Sequence, residues 1–430
     1  MDWSGKTKEL WSHQRHLGPR YGVAPDHPEV KNCITTFNKV NIHIVHIFLV
    51  NALSSCAQVG ESDRVNFLGN IRLGQDVSIA DLLSNYHAVL CTYGAAEDRV
   101  LGIPGESHTG VVSARDLVSL YNGAPDSDLS LAASSLDTDT VAIVGMGNVA
   151  LDVARLILSP VDVLSKTDVS DTWLEMRSRS RVKRVVVIGR RGPLNVSFTI
   201  KELREMIKLP SVQSVINPCD FEGVQEQLKS LERPRKRLTE LLLKTMKSDQ
   251  VSHDQAWELK LWRSPVSVLG DERVTGLELR DTRDSDVTER LECGLVVRSV
   301  GYSSVQADPQ LPWDDTNQVI SNEDGRARGC PGLYTAGWLG TGPRGVIIDT
   351  MNTAFRVAAS LVTDLGTQQL TERPGLQGLS EAVRAEATSW ADWQRLDTEE
   401  LRRGEAKDKA RDKIVRVQEM MEVIRSSRES

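Results

Sequence analysis

The hydrophobic pattern changes period several times along the chain, and each change marks an element. Thr140 to Val144 is a β-branched, apolar run of strand length, whereas from Asn148 onward Val149, Val153, Leu156 and Ile157 keep helical spacing. Gly145 and Gly147 stand between the two, so the stretch predicts a strand, a tight turn and a helix. A second strand runs from Arg184 to Ile188 and ends in Gly189-Arg190-Arg191-Gly192. Further along, Leu291 to Tyr302 reads as one strand of the buried type. Gly332 to Trp338 reads as another, leading through Gly340, Gly342 and Gly345 into a helix over Val346 to Leu365.

Weaker patterns fill the remainder. Residues 21 to 37 begin as a turn and become helical after Pro28, where proline is tolerated at a helix start. Asp26 and His27, just ahead, fit either a cap with a surface neighbour or a pair that transfers a proton or touches a partner. Val40 to Leu53 is the most apolar stretch, but a bilayer span needs roughly 20 apolar residues and this one is interrupted by Asn41, His43, His46 and Asn51. No transmembrane helix is expected there, nor a metal site at His43 and His46, which lack a third ligand. Ile79 to Tyr86 and Ser113 to Tyr121 read as helices, Ala88 to Cys91 as a strand, and Asn122 to Asp139 as a polar linker. Thr199 with Glu202 three residues on has capping-box spacing. A helix over Leu238 to Lys247 follows Arg233-Pro234-Arg235-Lys236-Arg237, and the charged tail from Glu399 ends in an amphipathic stretch, Val415 to Ile424, expected on the surface.

At 430 residues the chain has room for two or three domains, and its 26% charged and 40% hydrophobic residues are ordinary for a globular protein. A net charge of −7 argues against nucleic-acid binding by the molecule as a whole. Against that background two basic runs stand out, Arg177 to Arg184 and Arg233 to Arg237, either as solvated faces or as surfaces that steer an acidic partner. Six cysteines with no Cys-x-x-Cys among them argue against a dithiol centre, a zinc site or an iron–sulfur cluster on this chain. They read as reduced thiols of an intracellular compartment.

Glycines at 145 and 147 let the backbone come close to a pyrophosphate, and the helix opening at Asn148 turns its free N–H groups and positive dipole end toward it. Ala150 supplies the small residue needed where helix meets strand. In such folds the end of the second strand reads the adenosine ribose, an acid suiting a free 2′-hydroxyl and an arginine a 2′-phosphate. Arg190 and Arg191 therefore favour NADP(H) over NAD(H), the alternative being a solvated basic turn. Glu202 fits either the cap or a cofactor hydroxyl, and Trp338, beside the later glycine loop, fits either the core or the face of a flat ring system.

Five motifs together resemble the adrenodoxin reductase family, the mitochondrial ferredoxin–NADP reductases. They are Tyr21-Gly-Val-Ala-Pro-Asp-His-Pro-Glu-Val-Lys31, Gly145-Met-Gly-Asn-Val-Ala-Leu-Asp-Val-Ala-Arg155, Gly189-Arg-Arg-Gly-Pro193 with Phe198 to Glu205, Arg233 to Leu243, and Ala336-Gly-Trp338 with Gly345-Val-Ile347. The likeness runs from Tyr21 nearly to the C-terminus, leaving out about residues 38 to 64. It implies an α/β protein of two Rossmann-like dinucleotide-binding domains. Residues 1–113 with 300–430 would bind FAD, that domain lacking its first strand–glycine–helix unit, and residues 114–299 would bind NADP.

The activity so implied is transfer of electrons from NADPH through FAD to a [2Fe–2S] ferredoxin (adrenodoxin), serving mitochondrial cytochrome P450 and steroid or iron–sulfur pathways. Flavin is needed because nicotinamide delivers two electrons together and the cluster accepts one. By resemblance, Met146, Gly147, Asn148, Val149, Arg190, Arg191 and Glu202 would hold NADP, with Gly345 near the nicotinamide. Leu73, Trp338, Gly345, Val346 and Ile347 would contact FAD, and Arg233, Arg235 and Arg237 would face the ferredoxin. The implied location is the matrix side of the inner mitochondrial membrane, with peripheral association. The family's arginine before Gly342 is Thr341 here, with an arginine at 344 instead. Two alternatives stand beside this reading: a non-catalytic variant that binds NADP(H) or ferredoxin without FAD, and another flavin oxidoreductase with two dinucleotide domains.

Overall fold

In the computed structural model, residues 66–125, 127, 136–247, 253–345, 347–367 and 369–429 are described. They fall into two units, Arg99–Tyr121 with Asp128–Val300, and Met1–Asp98 with Asn122–Ser127 and Gly301–Ser430. The helix after Pro28 with Asp26 and His27, the apolar run Val40 to Leu53, much of the linker before Asp139, and Val346 lie outside the described residues.

The first of these units is built on strand alternation. Its parallel sheet has the order β1 (Val111–Ser113), β9 (Leu295–Arg298), β2 (Thr140–Val144), β3 (Arg184–Ile188), β5 (Gln255–Lys260), β4 (Val212–Ile216). Successive side chains point to opposite faces, and both faces are apolar because both are covered. Val141, Ile143, Val185, Val187 and Val297 face the larger core, formed with helices α1 (Ala114–Tyr121), α2 (Asn148–Leu158), α3 (Ile200–Ile207) and α4 (Arg233–Lys247). Ala142, Val144, Val186, Ile188 and Val296 face a second core under an antiparallel sheet of β6 (Arg263–Leu269), β7 (Gly276–Asp281) and β8 (Thr288–Glu292).

The single strand expected over Leu291 to Tyr302 is divided. Its first residues end β8 and its later ones form β9, because the chain passes from one sheet to the other at Cys293–Gly294. The Gly294 N–H donates to the Thr138 hydroxyl (3.1 Å), and a Cβ on Gly294 would lie 2.7 Å from that oxygen. Val111 to Ser113, expected in the flavin domain, pair in register with Val296 to Arg298 and so belong to this sheet. Three residues are too few for a strand period to be read.

In the other unit the strand Val89–Cys91 pairs in parallel with Leu333–Thr335, Cys91 opposite Thr335. The helix Ile79–Asn85 is closed by a reciprocal cap between Ser78 and Asp81. The tail, expected on the surface, is part of this unit's core. Leu396 of the helix Trp390–Glu405 and Met420 and Ile424 of the helix Val417–Glu429 are buried with Ile71, Ile79 and Leu333. Arg428 Nε lies 2.9 Å from the buried Asp392 carboxylate, and Arg411 Nη1 lies 3.0 Å from Glu400. Burying part of a charged helix requires such pairing.

Candidate cofactor sites and docking face

The glycine turn sits where β2 leaves the sheet, with β9 on one side and β3 on the other. This is the place in an open parallel sheet where a crevice forms beyond the carboxyl ends of the strands. The two glycines do different things there. Gly145 has φ +124, and a Cβ on it would collide with the Ser299 carbonyl, so it serves the approach of the neighbouring strand end. Gly147 has no protein atom within 4 Å of where its Cβ would be. It precedes α2, and no side chain caps that helix. An open concavity at an uncapped helix N-terminus fits a pyrophosphate. Ala150, fully buried, packs the helix against the sheet as its size predicts.

The segment Val196 to Thr199 ties this turn to the rest of the site. Ser197 and Phe198 N–H groups both donate to the Met146 carbonyl at 3.1 Å, and the Thr199 N–H donates to the Asn148 side-chain oxygen at 2.8 Å. That last bond changes the cap. Thr199 does cap α3, accepting from the Lys201 N–H, but its own N–H is taken by Asn148, so no capping box forms. Glu202 instead accepts a hydrogen bond from the Thr199 hydroxyl and stays half-buried at the rim.

Arg190 and Arg191 follow β3, both exposed. Arg191 Nη2 lies 3.1 Å from the Ser197 hydroxyl, and neither arginine has an ion pair among the described residues. Gly189 is needed because the Met146 thioether fills the space where its Cβ would stand. Gly192 is needed because the Trp262 ring does the same there.

The two basic runs differ in kind. In the first, Arg179 pairs with Glu175 (2.7 Å), Arg181 with Asp137 (2.8 Å), Lys183 with Asp139 (3.7 Å) and Arg184 with Glu258, while Arg177 is buried. That run is neutralised by its neighbours. In the second, α4 begins at Arg233, five residues earlier than the sequence suggests, so Arg233 and Arg235 lie in a helix's first turn, which itself holds no acid, and Arg237 follows one turn on. Arg233 and Arg237, one helical turn apart, are exposed and carry no ion pair among the described residues. Arg235 points elsewhere, its Nη1 2.6 Å from the Val196 carbonyl. Cations at a helix N-terminus oppose the dipole by about 0.3–1 kcal/mol each. Their placement is therefore not explained by stability.

In the other unit, two glycine loops leave neighbouring parallel strands at one edge. Gly94 (φ +74) has nothing within 4 Å of where a Cβ would stand, and a Cβ on Gly337 (φ +67) would meet only the Thr350 methyl at 3.5 Å. Trp338, half-buried, stacks on Tyr302 with centroids 5.7 Å apart and planes 29° apart. Gly345 has φ +81, the helix Ile347–Thr367 follows, and Leu73 is buried in the core. Open glycine backbone beside a stacked indole fits a flat ring system with a pyrophosphate. Tyr302 was not singled out by the sequence, since a tyrosine ending a strand carries no signal of its own.

No family model matches the chain. It is 42% identical to NADPH:adrenodoxin oxidoreductase, mitochondrial, of Salvelinus fontinalis, over 95% of this chain and 83% of that protein. The protein of the same name from Homo sapiens is 43% identical, over 94% and 84%. The chain belongs to the NADPH:adrenodoxin oxidoreductase family. Among solved structures, FprA from Mycobacterium tuberculosis in complex with NADPH superposes with a TM-score of 0.83 at 30% identity, over 95% of this chain and 91% of that one. The His57Gln mutant of FprA gives 0.84 at 31% identity, over 94% and 89%. The family's α/β dinucleotide-binding architecture is thus present in the parallel sheet that carries Gly147, Arg190 and Arg191. Relatives in the family are named mitochondrial.

Proposed function

We propose that this chain is a mitochondrial FAD-dependent reductase that takes electrons from NADPH and gives them to a [2Fe–2S] ferredoxin. The observation that carries the reading is the pair Arg190 and Arg191, exposed and without an ion pair among the described residues, beside the uncapped start of α2. FAD, when bound, supplies the conversion from two-electron delivery to single-electron steps.

The chain's own residues bind and orient. Met146 to Val149 present backbone N–H groups to the pyrophosphate, Arg190 and Arg191 hold the 2′-phosphate by charge-assisted hydrogen bonds, and Glu202 accepts from a cofactor hydroxyl. Leu73, Trp338, Gly345 and the start of the helix Ile347–Thr367 would hold FAD in the other unit. Arg233 and Arg237 steer the acidic ferredoxin, while Arg235 fixes the helix start that presents them. The reading places the molecule on the matrix side of the inner membrane, in peripheral association, serving cytochrome P450 or iron–sulfur pathways. Titration of NADP⁺ and NAD⁺ against the protein and its Arg190→Ala/Arg191→Ala variant tests it. The expected result is loss of about tenfold or more in NADP⁺ affinity with NAD⁺ affinity unchanged. Equal affinity of the unaltered protein for both would overturn it.

A further inference from the structure

The loop bearing Arg190 and Arg191 is held from behind by residues with no part in contacting a dinucleotide. Three successive carbonyls of that loop accept hydrogen bonds from the β5–β6 connection and the end of β7. Gly189 O accepts from the Arg263 N–H at 3.0 Å, Arg190 O from the Thr282 hydroxyl at 2.9 Å, and Arg191 O from the Trp262 N–H at 3.5 Å. The connection is itself fixed. Trp262 sits in the left-handed region at φ +57, its indole N–H donates to the Asp220 carbonyl at 3.1 Å, and its own carbonyl accepts from the Thr282 N–H at 2.9 Å. The Arg283 guanidinium lies over the indole at 5.7 Å and is gripped in turn by Asp281, Nη2 to Oδ2 being 2.9 Å. The ring occupies the space that a Cβ at position 192 would need.

A tryptophan at positive φ is strained and persists only where its surroundings fix it. Here those surroundings are Asp220, Thr282 and Arg283 on one side and the arginine loop, through the Arg191 carbonyl and Gly192, on the other. We infer that Thr282 and Trp262 are positioning residues that set the preference for a 2′-phosphorylated adenosine. The three held carbonyls fix the backbone from which both exposed arginine side chains project, pre-ordering them for a doubly charged phosphate. This rests on the assignment of Arg190 and Arg191 to the 2′-phosphate.

The test titrates the purified chain by calorimetry with adenosine 2′,5′-bisphosphate and with adenosine 5′-monophosphate, which differ only in the 2′-phosphate. Thr282→Val deletes one donor from an exposed side chain, and should weaken the bisphosphate about 3- to 10-fold while leaving the monophosphate unchanged. Thr282→Ser should restore the difference. Gly192→Ala displaces the indole with Thr282 intact, and should give the same selective loss. If Thr282→Val and Gly192→Ala bind the bisphosphate as tightly as the parent, or lose both ligands equally, the inference is overturned. Arg190→Ala/Arg191→Ala separates the two claims. If it loses the bisphosphate selectively while the positioning variants do not, only the clamp falls; if it does not, the phosphate assignment falls and takes the clamp with it.

Discussion

Gly145 and Gly147 occupy one turn, yet their neighbours assign them opposite consequences. An alanine at 145 would meet the Ser299 carbonyl and a backbone angle that L-residues avoid, so Gly145→Ala should cost at least about 2 kcal/mol, read as a lower urea midpoint. An alanine at 147 would meet empty space. Gly147→Ala should therefore leave the midpoint nearly unchanged but weaken NADP⁺ binding, because its methyl enters the volume left for the pyrophosphate. A third residue sets a pH dependence. Hydrogen bonding from Arg283, helped by the charge of Arg263, holds the buried Asp281 carboxyl down at about 2 despite its burial. The folded value lies below the unfolded one of about 4, so the stabilisation is complete above that value and is lost as pH falls from about 4 toward 2. Asp281→Asn should flatten that part of the acid-unfolding curve; an unchanged slope would show that Asp281 contributes little to it.

At the level of elements, α4 is the one whose sequence works against its own helix. Arg233 and Arg235, in a first turn that holds no acid, weaken it, and the helix is kept by Leu238, Leu242 and Leu243 in the core. Arg233→Ala/Arg237→Ala should accordingly raise the KM for ferredoxin and reduce its salt dependence, with thermal stability equal or slightly higher. A fall in stability would mean that the arginines serve the fold. Elements were legible in the sequence where the pattern was long and local. The five-residue strands before the glycine turn and at Arg184 to Ile188 lie where their β-branched runs put them. Elsewhere a partner far along the chain decides. The cap of α3 changed because Asn148, 51 residues away, takes the Thr199 N–H. The Thr282 hydroxyl reaches an Arg190 carbonyl 92 residues distant. No local periodicity encodes either, nor the burial of the charged tail, which depends on Asp392 and Glu400 receiving arginines from another helix or loop.

For the whole molecule, the net charge of −7 and the paired state of the Arg177 to Arg184 run leave Arg233 and Arg237 as a local positive feature on an acidic protein. On the proposed reading that arrangement would direct an acidic carrier to one face while general repulsion limits unproductive encounters. The glycine turn, the arginine pair and the basic helix follow one another along one unit, so their local motifs can be read as one sequence pattern. The central claim is that electrons pass from NADPH to a ferredoxin through this chain. It is tested most directly by supplying NADPH or NADH to the FAD-loaded protein and following loss of the visible absorbance of a [2Fe–2S] ferredoxin under anaerobic conditions. Reduction at least about tenfold faster with NADPH than with NADH is the predicted result. No reduction with NADPH, or equal rates with the two nucleotides, would contradict it.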